Sequence, residues 1–371
     1  MKINKQNNNI NFGYKAAVDI GASVAGGSFK MKLYNQGIVI DEFSKHLSPG
    51  GVKNSQEFVQ KIADTVSFMK NMAKNALDAL PSELEKKLEE LYVFICGRPT
   101  KVGENDFFIR KIRNIKGFET GDGLENVDFS ILKERFPNTK INIFNDMTGA
   151  ACAGINRIKP ENLSNSSMFI TTGGGCGTSF INKINIDGED YIKVAQSHIG
   201  RRLIHGEAIE EYGASVSALI KNYLSKQNVS DETLKELLAI GDARVALNES
   251  PVLAQKFNLK KSLAGTDFAL ERFTDALVQA VKIKLNEGEK LDTVLLSGSL
   301  LSGINDYLLK NTKTALTELL SKKIGSKCPE IKLIEGIKDN VEGAMFLENK
   351  FTFTNTFMED NIQLLSLYIK Q

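Results

Sequence analysis

The sequence predicts an α/β protein of two domains with a cleft between them, and two observations carry that prediction. Short apolar strands that run into glycine and then into helical patterns recur in both halves, and 371 residues are enough for about two domains. A polar stretch, KPENLSNSS at 159–167, separates the halves. Apolar residues make up 42% and charged residues 25%, with 47 Lys and Arg against 45 Asp and Glu. That balance fits a soluble globular protein and gives no charge excess to favour nucleic acid or a membrane surface as partner. Cys96, Cys152, Cys176 and Cys328 lie far apart without C-x-x-C spacing, which argues against a disulfide framework and a thiolate zinc site and for a reducing, cytoplasmic setting. Residues 1–15 are polar and Asn-rich, read as a disordered lead, and no run approaches the ~18 apolar residues of a membrane span.

The first element is AAVDIG, an apolar strand closed by glycine, and SFKMKLYN alternates as its hairpin partner. From Ser55, the residues Phe58, Val59, Ile62, Val66 and Met69 fall on one face of a helix, and Pro81-Ser82 with Glu85 reads as a capping-box start for a second. YVFIC is a buried strand. A loop-rich section at 97–119 leads to the short helix FSILKERF, the strand INIFN, and MTGAACAGI, whose small residues suit a tightly packed helix. After the polar stretch, MFITTGGG opens the second half, and FINKINIDGEDYIKV reads as a hairpin turning at Asp187-Gly188. Helical patterns then cover 207–224, 231–240 and 266–285, the last stopping near Gly288. They are followed by the strand DTVLLSGS, a helix from about Ile304 to Lys323, the strand EIKLIEG and a final helix through VEGAMFLENK.

Chemistry is concentrated at three strand-end glycine clusters: Asp19-Ile20-Gly21-Ala22-Ser23, TTGGGCGTSF at 171–180, and Ser297-Gly298-Ser299. Glycine lets backbone N–H groups approach anionic oxygens, and successive amides form a donor nest. Taken singly, such a cluster is an ordinary turn. Together with Asn145-Asp146 at the end of a strand, the three clusters offer what phosphoryl transfer needs: donors for phosphates, a carboxylate near Mg²⁺ and a base for an acceptor hydroxyl. Asp146 is equally suited to cap the helix after it. Cys176 reads as an apolar filler among glycines.

In order, D-x-G-x-S, G-R-P, N-D, T-G-x-G-x-G, a His, E-x-Y and a Gly in a strand-to-helix turn resemble the ROK family of sugar kinases, in the superfamily of hexokinase, Hsp70 and actin. The likeness runs from about Ala16 to Glu348. It implies the two-domain actin-like ATPase fold, of ribonuclease H-like topology, with an interdomain cleft. It implies a small N-terminal domain of residues 16–155 completed by a C-terminal helix at about 340–371, and a large domain of residues 156–339. By position, it assigns Asp19, Gly21 and Ser23 to a first phosphate loop, with Asp19 acting on Mg²⁺ through water. Thr172, Gly173, Gly175 and Gly177 fall to a second phosphate loop, and Gly298 to the adenosine-side turn of an ATP site. Asn145 and Asp146 become a sugar-binding amide and the general base, with His198, Glu210 and Asn114 as further sugar contacts.

Two departures stand out. VAGGS lengthens the first turn, and AQSH at 195–198 puts Ala195 where the family has a Glu, which removes one expected sugar contact and leaves open which sugar is taken. The family's zinc module, three cysteines with that His, is missing between His198 and Glu210, which predicts no structural zinc. The implied function is ATP- and Mg²⁺-dependent phosphorylation of a hydroxyl of a hexose or amino sugar by a cytoplasmic homodimer. The alternatives are a non-catalytic sugar-binding or regulatory protein on the same fold, against which the short stretch before AAVDIG argues, and an actin-like assembling ATPase.

Overall fold

The computed structural model describes residues 13–21, 27–35, 38–47, 54–72, 87–102, 106–112, 123–227, 229–240, 255–256, 258–260, 262–298, 300–301, 313–335, 337, 340–347, 351–357 and 363–371. Its first half contains β1 (Tyr14–Gly21), β2 (Gly27–Asn35), β3 (Ile38–Leu47), helix α1 (Ser55–Met72) and β4 (Leu88–Ile95). These are followed by β5 (Pro99–Lys101), β6 (Phe107–Ile112), β7 (Leu124–Asp128), α2 (Ser130–Arg135) and β8 (Lys140–Asn145). The main sheet runs β3-β2-β1-β4-β8, with β1, β4 and β8 parallel and β2 antiparallel to both its neighbours. Burial along β4 is nearly continuous, as expected of a parallel strand covered on both faces. The expected face of α1 is the buried one, adding Ala63.

Helix α3 (Asp146–Ile158) leads into β9 (Ser166–Thr172), β10 (Cys176–Ile186) and β11 (Glu189–Ser197). A small hairpin, β12 (Leu203–Ile204) and β13 (Glu207–Ala208), precedes helices α4 (Val216–Leu224), α5 (Asp231–Ile240) and α6 (Leu263–Asn286). The remaining elements are β14 (Thr293–Ser297), α7 (Lys313–Ile324), β15 (Glu330–Leu333), α8 (Val341–Leu347), β16 (Phe351–Phe357) and β17 (Gln363–Lys370). The second sheet runs β15-β14-β9-β10-β11-β17-β16. Its first five positions repeat the plan of the first sheet, three parallel strands and then an antiparallel meander, without any repeat in sequence. The Asp187-Gly188 turn forms as expected, both residues having positive φ, 53° and 85°.

Helices α3 and α8 lie between the sheets in a core drawn from both, including Tyr92 and Phe144 from the first and Phe169, Ile181, Val194 and Leu295 from the second. Small residues let the two helices approach until a Cβ placed on Gly343 would stand 2.2 Å from the Gly149 carbonyl oxygen. No helix among the described residues is long and apolar enough to cross a membrane.

Several elements differ from expectation. The section at 97–119 that reads as loop contributes β5 and β6, which join β7 in a three-stranded antiparallel sheet. The helical pattern at 207–224 is broken: Glu210–Ala214 forms a π-helical turn, and Ser215 caps a fresh helix by accepting the Ala218 amide. The expected C-terminal helix at about 340–371 stops at Leu347, and β16 and β17 follow as a hairpin paired to β11 from Tyr191↔Lys370 to Ala195↔Ser366. Phe351, at the start of that hairpin, packs against Tyr92 and Phe144 of the first sheet, with ring centroids 6.2 and 5.7 Å apart. The helix start read at Pro81 lies outside the described residues.

Candidate active site

The first sheet delivers its two candidate acids to one edge. Asp19 lies in β1 and Asp146 follows β8, with β4 between them in parallel register, so Asp19↔Phe94 and Asn145↔Ile95 face the same strand ends. The thiol of Cys96, just past β4, is raised by burial and then by the charges of Asp146 and Asp19.

Asp19 is 6% exposed. Burial pushes its carboxyl up to about 7, and the charge of Asp146 adds to that, although the Asn340 amide donates to Asp19 Oδ1 at 3.0 Å and opposes it. Asn340 stands at the threshold of α8, so the helix that packs on α3 also holds the first acid. Folding therefore favours the neutral carboxyl, and the stability this gives is present below pH ~4 and is lost as pH rises through about 7. Asp19→Asn, which removes the buried charge and keeps an acceptor for Asn340, is expected to raise the melting temperature in Mg²⁺-free buffer. The gain should grow from pH 4 to pH 8, followed by thermal scans at each pH; a gain that does not depend on pH would contradict the assignment.

Asn145 is the cap of α3. Its Oδ1 accepts the Met147 amide at 2.9 Å, and its Nδ2 donates to the Gly97 carbonyl at 2.7 Å, a backbone position with φ of 138°. Asp146 Oδ1 also accepts the Met147 amide at 2.9 Å, so capping and site geometry coexist in the unliganded state. Asp146 keeps part of its surface open, yet the surrounding protein desolvates it enough to hold its carboxyl above the usual range. A carboxylate so placed is a competent proton acceptor for a hydroxyl brought to the cleft.

The second sheet meets this edge through TTGGGCGTSF, which forms the tight connection between β9 and β10. Within it, the Gly173 amide closes onto the Gly175 carbonyl at 2.9 Å, and the Gly173 carbonyl accepts the Val216 amide at 2.9 Å, fixing the loop to the start of α4. That amide is thus spent on the loop itself. Gly177 presses on the residue after Asp146: a Cβ there would stand 1.9 Å from Met147 Sδ. Ser179 Oγ donates to the Met147 carbonyl at 3.3 Å. Gly298, with φ of 116°, backs onto the same loop, where a Cβ would lie 2.1 Å from the Thr172 carbonyl oxygen. Thr172 Oγ1 is buried without a hydrogen-bond partner among the described residues. The glycine-tight backbone and the unpartnered Thr172 hydroxyl are groups that could meet an anion, and the buried Asp19 carboxyl is one that could meet a hydrated divalent cation. Among the described residues, no group of three or more His, Cys, Asp or Glu is placed to hold a metal directly.

His198 follows β11. Burial, then the cations Arg98 and Arg201, push its imidazole down to about 4, so it is neutral near pH 7, and its buried Nε2 has no hydrogen-bond partner among the described residues. Glu210 lies against the loop between β9 and β10. Its Oε1 pairs with Arg201 Nε at 3.1 Å, its carboxylate accepts from the Cys176 amide, and its Oε2 is 3.3 Å from where a Gly175 Cβ would be. Burial outweighs both partners and keeps this carboxyl above the usual range. Gly21 ends β1, and Ser23 and Asn114 lie outside the described residues.

Sequence reasoning missed two residues. Asn340 lies 321 positions from Asp19, with no local signal joining them. Gln196 was legible in principle from strand alternation. It pairs with Ser179, the residue bonded to Met147, whereas Ala195 pairs with Phe180 and shares its face, which packs toward the helices of the second half. The strand therefore turns a neutral amide, not Ala195, toward the face where α3 begins.

No family model matches this chain, and no curated protein matches it in sequence. Solved structures do. A glucokinase from Balamuthia mandrillaris in complex with glucose matches with a TM-score of 0.60 at 17% identity, over 90% of this chain and 93% of that one. A ROK family glucokinase from Streptomyces griseus, in complex with glucose and AMPPNP, matches with a TM-score of 0.53 at 14% identity, over 90% and 97%. A ROK family transcriptional regulator, a homolog of the E. coli MLC protein, matches with a TM-score of 0.56 at 12% identity, over 90% and 77%. At such identities the likeness carries the fold: this chain has the actin-like two-domain ATPase fold of the ROK glucokinases.

Proposed function

We propose that this protein is a ROK-type kinase that transfers the terminal phosphoryl group of ATP to a hydroxyl of a hexose or amino sugar. The observation that carries the reading is the contact of Met147 with Gly177 and Ser179, which sets the prospective base Asp146 directly beside the second phosphate loop. Asp146 accepts the hydroxyl proton, Asn145, His198 and Gln196 orient the acceptor, and Asn114 and Glu210 complete its surroundings. Thr172, Gly173, Gly175 and Gly177 enclose the phosphates from one domain, and Gly21 and Ser23 do so from the other. Gly298 supports the nucleotide side. Mg²⁺, carried by Asp19 through water, would supply charge neutralisation at the phosphates. The protein works without structural zinc, in the cytoplasm, as a homodimer, with residues 16–155 and 156–339 as its two domains.

The fold is shared with the transcriptional regulator, and Ala195 with Gln196 leaves the stretch of β11 before His198 without a carboxylate, so a regulatory sugar-binding protein is the second reading. ATP consumption across hexoses, hexosamines and acylated amino sugars separates the two. Sugar-stimulated turnover with at least one of them supports the kinase; sugar binding with no turnover across the panel supports the regulator.

A further inference from the structure

We propose that Arg272 is a positioning residue for the sugar end of the site, clamping the turn that carries Glu210; this rests on the kinase reading above, in which Glu210 meets the acceptor sugar. A contact of that kind depends on closely held backbone, since a misplacement of about 1 Å can cost about 10²-fold in rate.

Glu210 opens the π-helical turn Glu210–Ala214, set between the β12–β13 hairpin and the Ser215 cap of α4. Such a turn is rare, and where one persists it is frequently part of a functional site. Here α6 holds it. The Tyr212 carbonyl, at the middle of the turn, accepts from Arg272 Nε at 3.1 Å and from Asn222 Nδ2 at 2.8 Å. A terminal nitrogen of Arg272 donates to Glu207 Oε2, at the start of β13, and the guanidinium carbon lies 3.9 Å from the centre of the Tyr212 ring. One planar cation thus ties the hairpin, the ring and the backbone of the turn to a single point on α6. Backbone closes the fit at the same point: a Cβ at Gly213 would lie 2.3 Å from the Arg272 carbonyl oxygen. Asp275, further along α6, hydrogen-bonds the Tyr212 side chain. The Arg272 side chain is 22% exposed, so these bonds are made where water competes weakly.

Glu210 is therefore held at both ends. Its carboxylate is oriented by Arg201 Nε and the Cys176 amide, and its backbone by Arg272 through Tyr212. The phosphate side has a fastening of its own beyond the Ser215 cap, where the Val216 amide donates to the Gly173 carbonyl. Loss of the clamp should accordingly be felt by the sugar before it is felt by ATP. Arg272 lies 60 positions from Tyr212, so no motif joins them.

A double-mutant cycle of Arg272→Ala and Glu210→Ala, read by steady-state kinetics on glucose, mannose, glucosamine and N-acetylmannosamine, tests the assignment. On whichever of these the wild type turns over, Arg272→Ala is expected to raise the sugar KM about 10–100-fold and to leave the ATP KM within about twofold. Arg272→Lys, which keeps a charge for Glu207 and loses the fork and the stack on Tyr212, should show a smaller rise of the same kind, and it serves if the Ala variant fails to fold. In the Glu210→Ala background the Arg272 substitution should add less than about twofold, because it acts through Glu210. Additive losses, sugar and ATP KM rising together, or an unchanged sugar KM would each overturn the proposal. A wild type that binds one of these sugars by calorimetry but turns none over sinks the kinase reading alone, and the same cycle read in sugar Kd then decides Arg272. A wild type that binds none of them overturns both.

Discussion

Asp146→Asn is expected to lower sugar phosphorylation by about 10²–10⁴-fold while leaving ATP affinity within about twofold. The substitution is nearly isosteric, and α3 keeps its start because Asn145 Oδ1 already accepts the Met147 amide. What is lost is the proton acceptor. Desolvation holds the Asp146 carboxyl above the ordinary range, so the base form is reached at higher pH than for an exposed carboxylate. The wild-type rate should therefore fall on the acid side above the ordinary carboxylate range, and the residual rate of the variant should lack that limb. A pH–kcat profile for both proteins checks the two statements together, and an unimpaired Asn variant would remove Asp146 from the chemistry.

Gly298→Ala is expected to cost about 2–5 kcal/mol of stability and to abolish measurable ATP binding. Its φ of 116° is a backbone region that side chains rarely adopt, and the added methyl would meet backbone, with the Thr172 carbonyl at 2.1 Å and its amide at 2.7 Å. Backbone cannot swing aside as a side-chain tip can. Relief must therefore come from shifting the end of β9, which carries the second phosphate loop. Denaturant unfolding and ATP titration read the two effects. Gly177→Ala is the useful contrast, because the atoms nearest its added methyl belong to the flexible Met147 side chain and not to backbone. Gly298→Ala with wild-type stability would show that the turn has slack that the geometry denies.

What was legible in the sequence was what is encoded locally. The buried face of α1, the Asp187-Gly188 turn and the glycine loop between β9 and β10 each carry their own signal within a dozen residues. β3 was missed because it is an edge strand, IVIDEFSKHL, whose Asp41, Glu42 and Lys45 blur the alternation. β5 and β6 were missed because they are short, and PTK with FFIRKI mixes charge into both. The site divides in the same way. Asp19, Asp146 and the phosphate loop follow from motifs in order, while the Asn340 bond to Asp19 and the Arg201–Glu210 pair depend on the packing of α8 and of the 199–201 turn. That Ala195 and Gln196 lie on opposite faces of β11 depends on strand register, which a motif comparison does not carry.

The hairpin of β16 and β17 has a consequence for how the molecule is made. As the chain leaves the ribosome, β9, β10 and β11 can pair well before residues 363–370 have been synthesised, and until then the Tyr191–Ala195 backbone presents an open edge. The nascent second domain is thus exposed to strand-to-strand pairing with other copies for as long as translation of the remaining half takes. Slow translation late in the message, or a premature stop before Phe351, prolongs that exposure, and it also withholds the ring that joins the late hairpin to Tyr92 and Phe144. Expression yield should therefore depend on the integrity of residues 351–371 far more than their distance in sequence from the phosphate loops suggests.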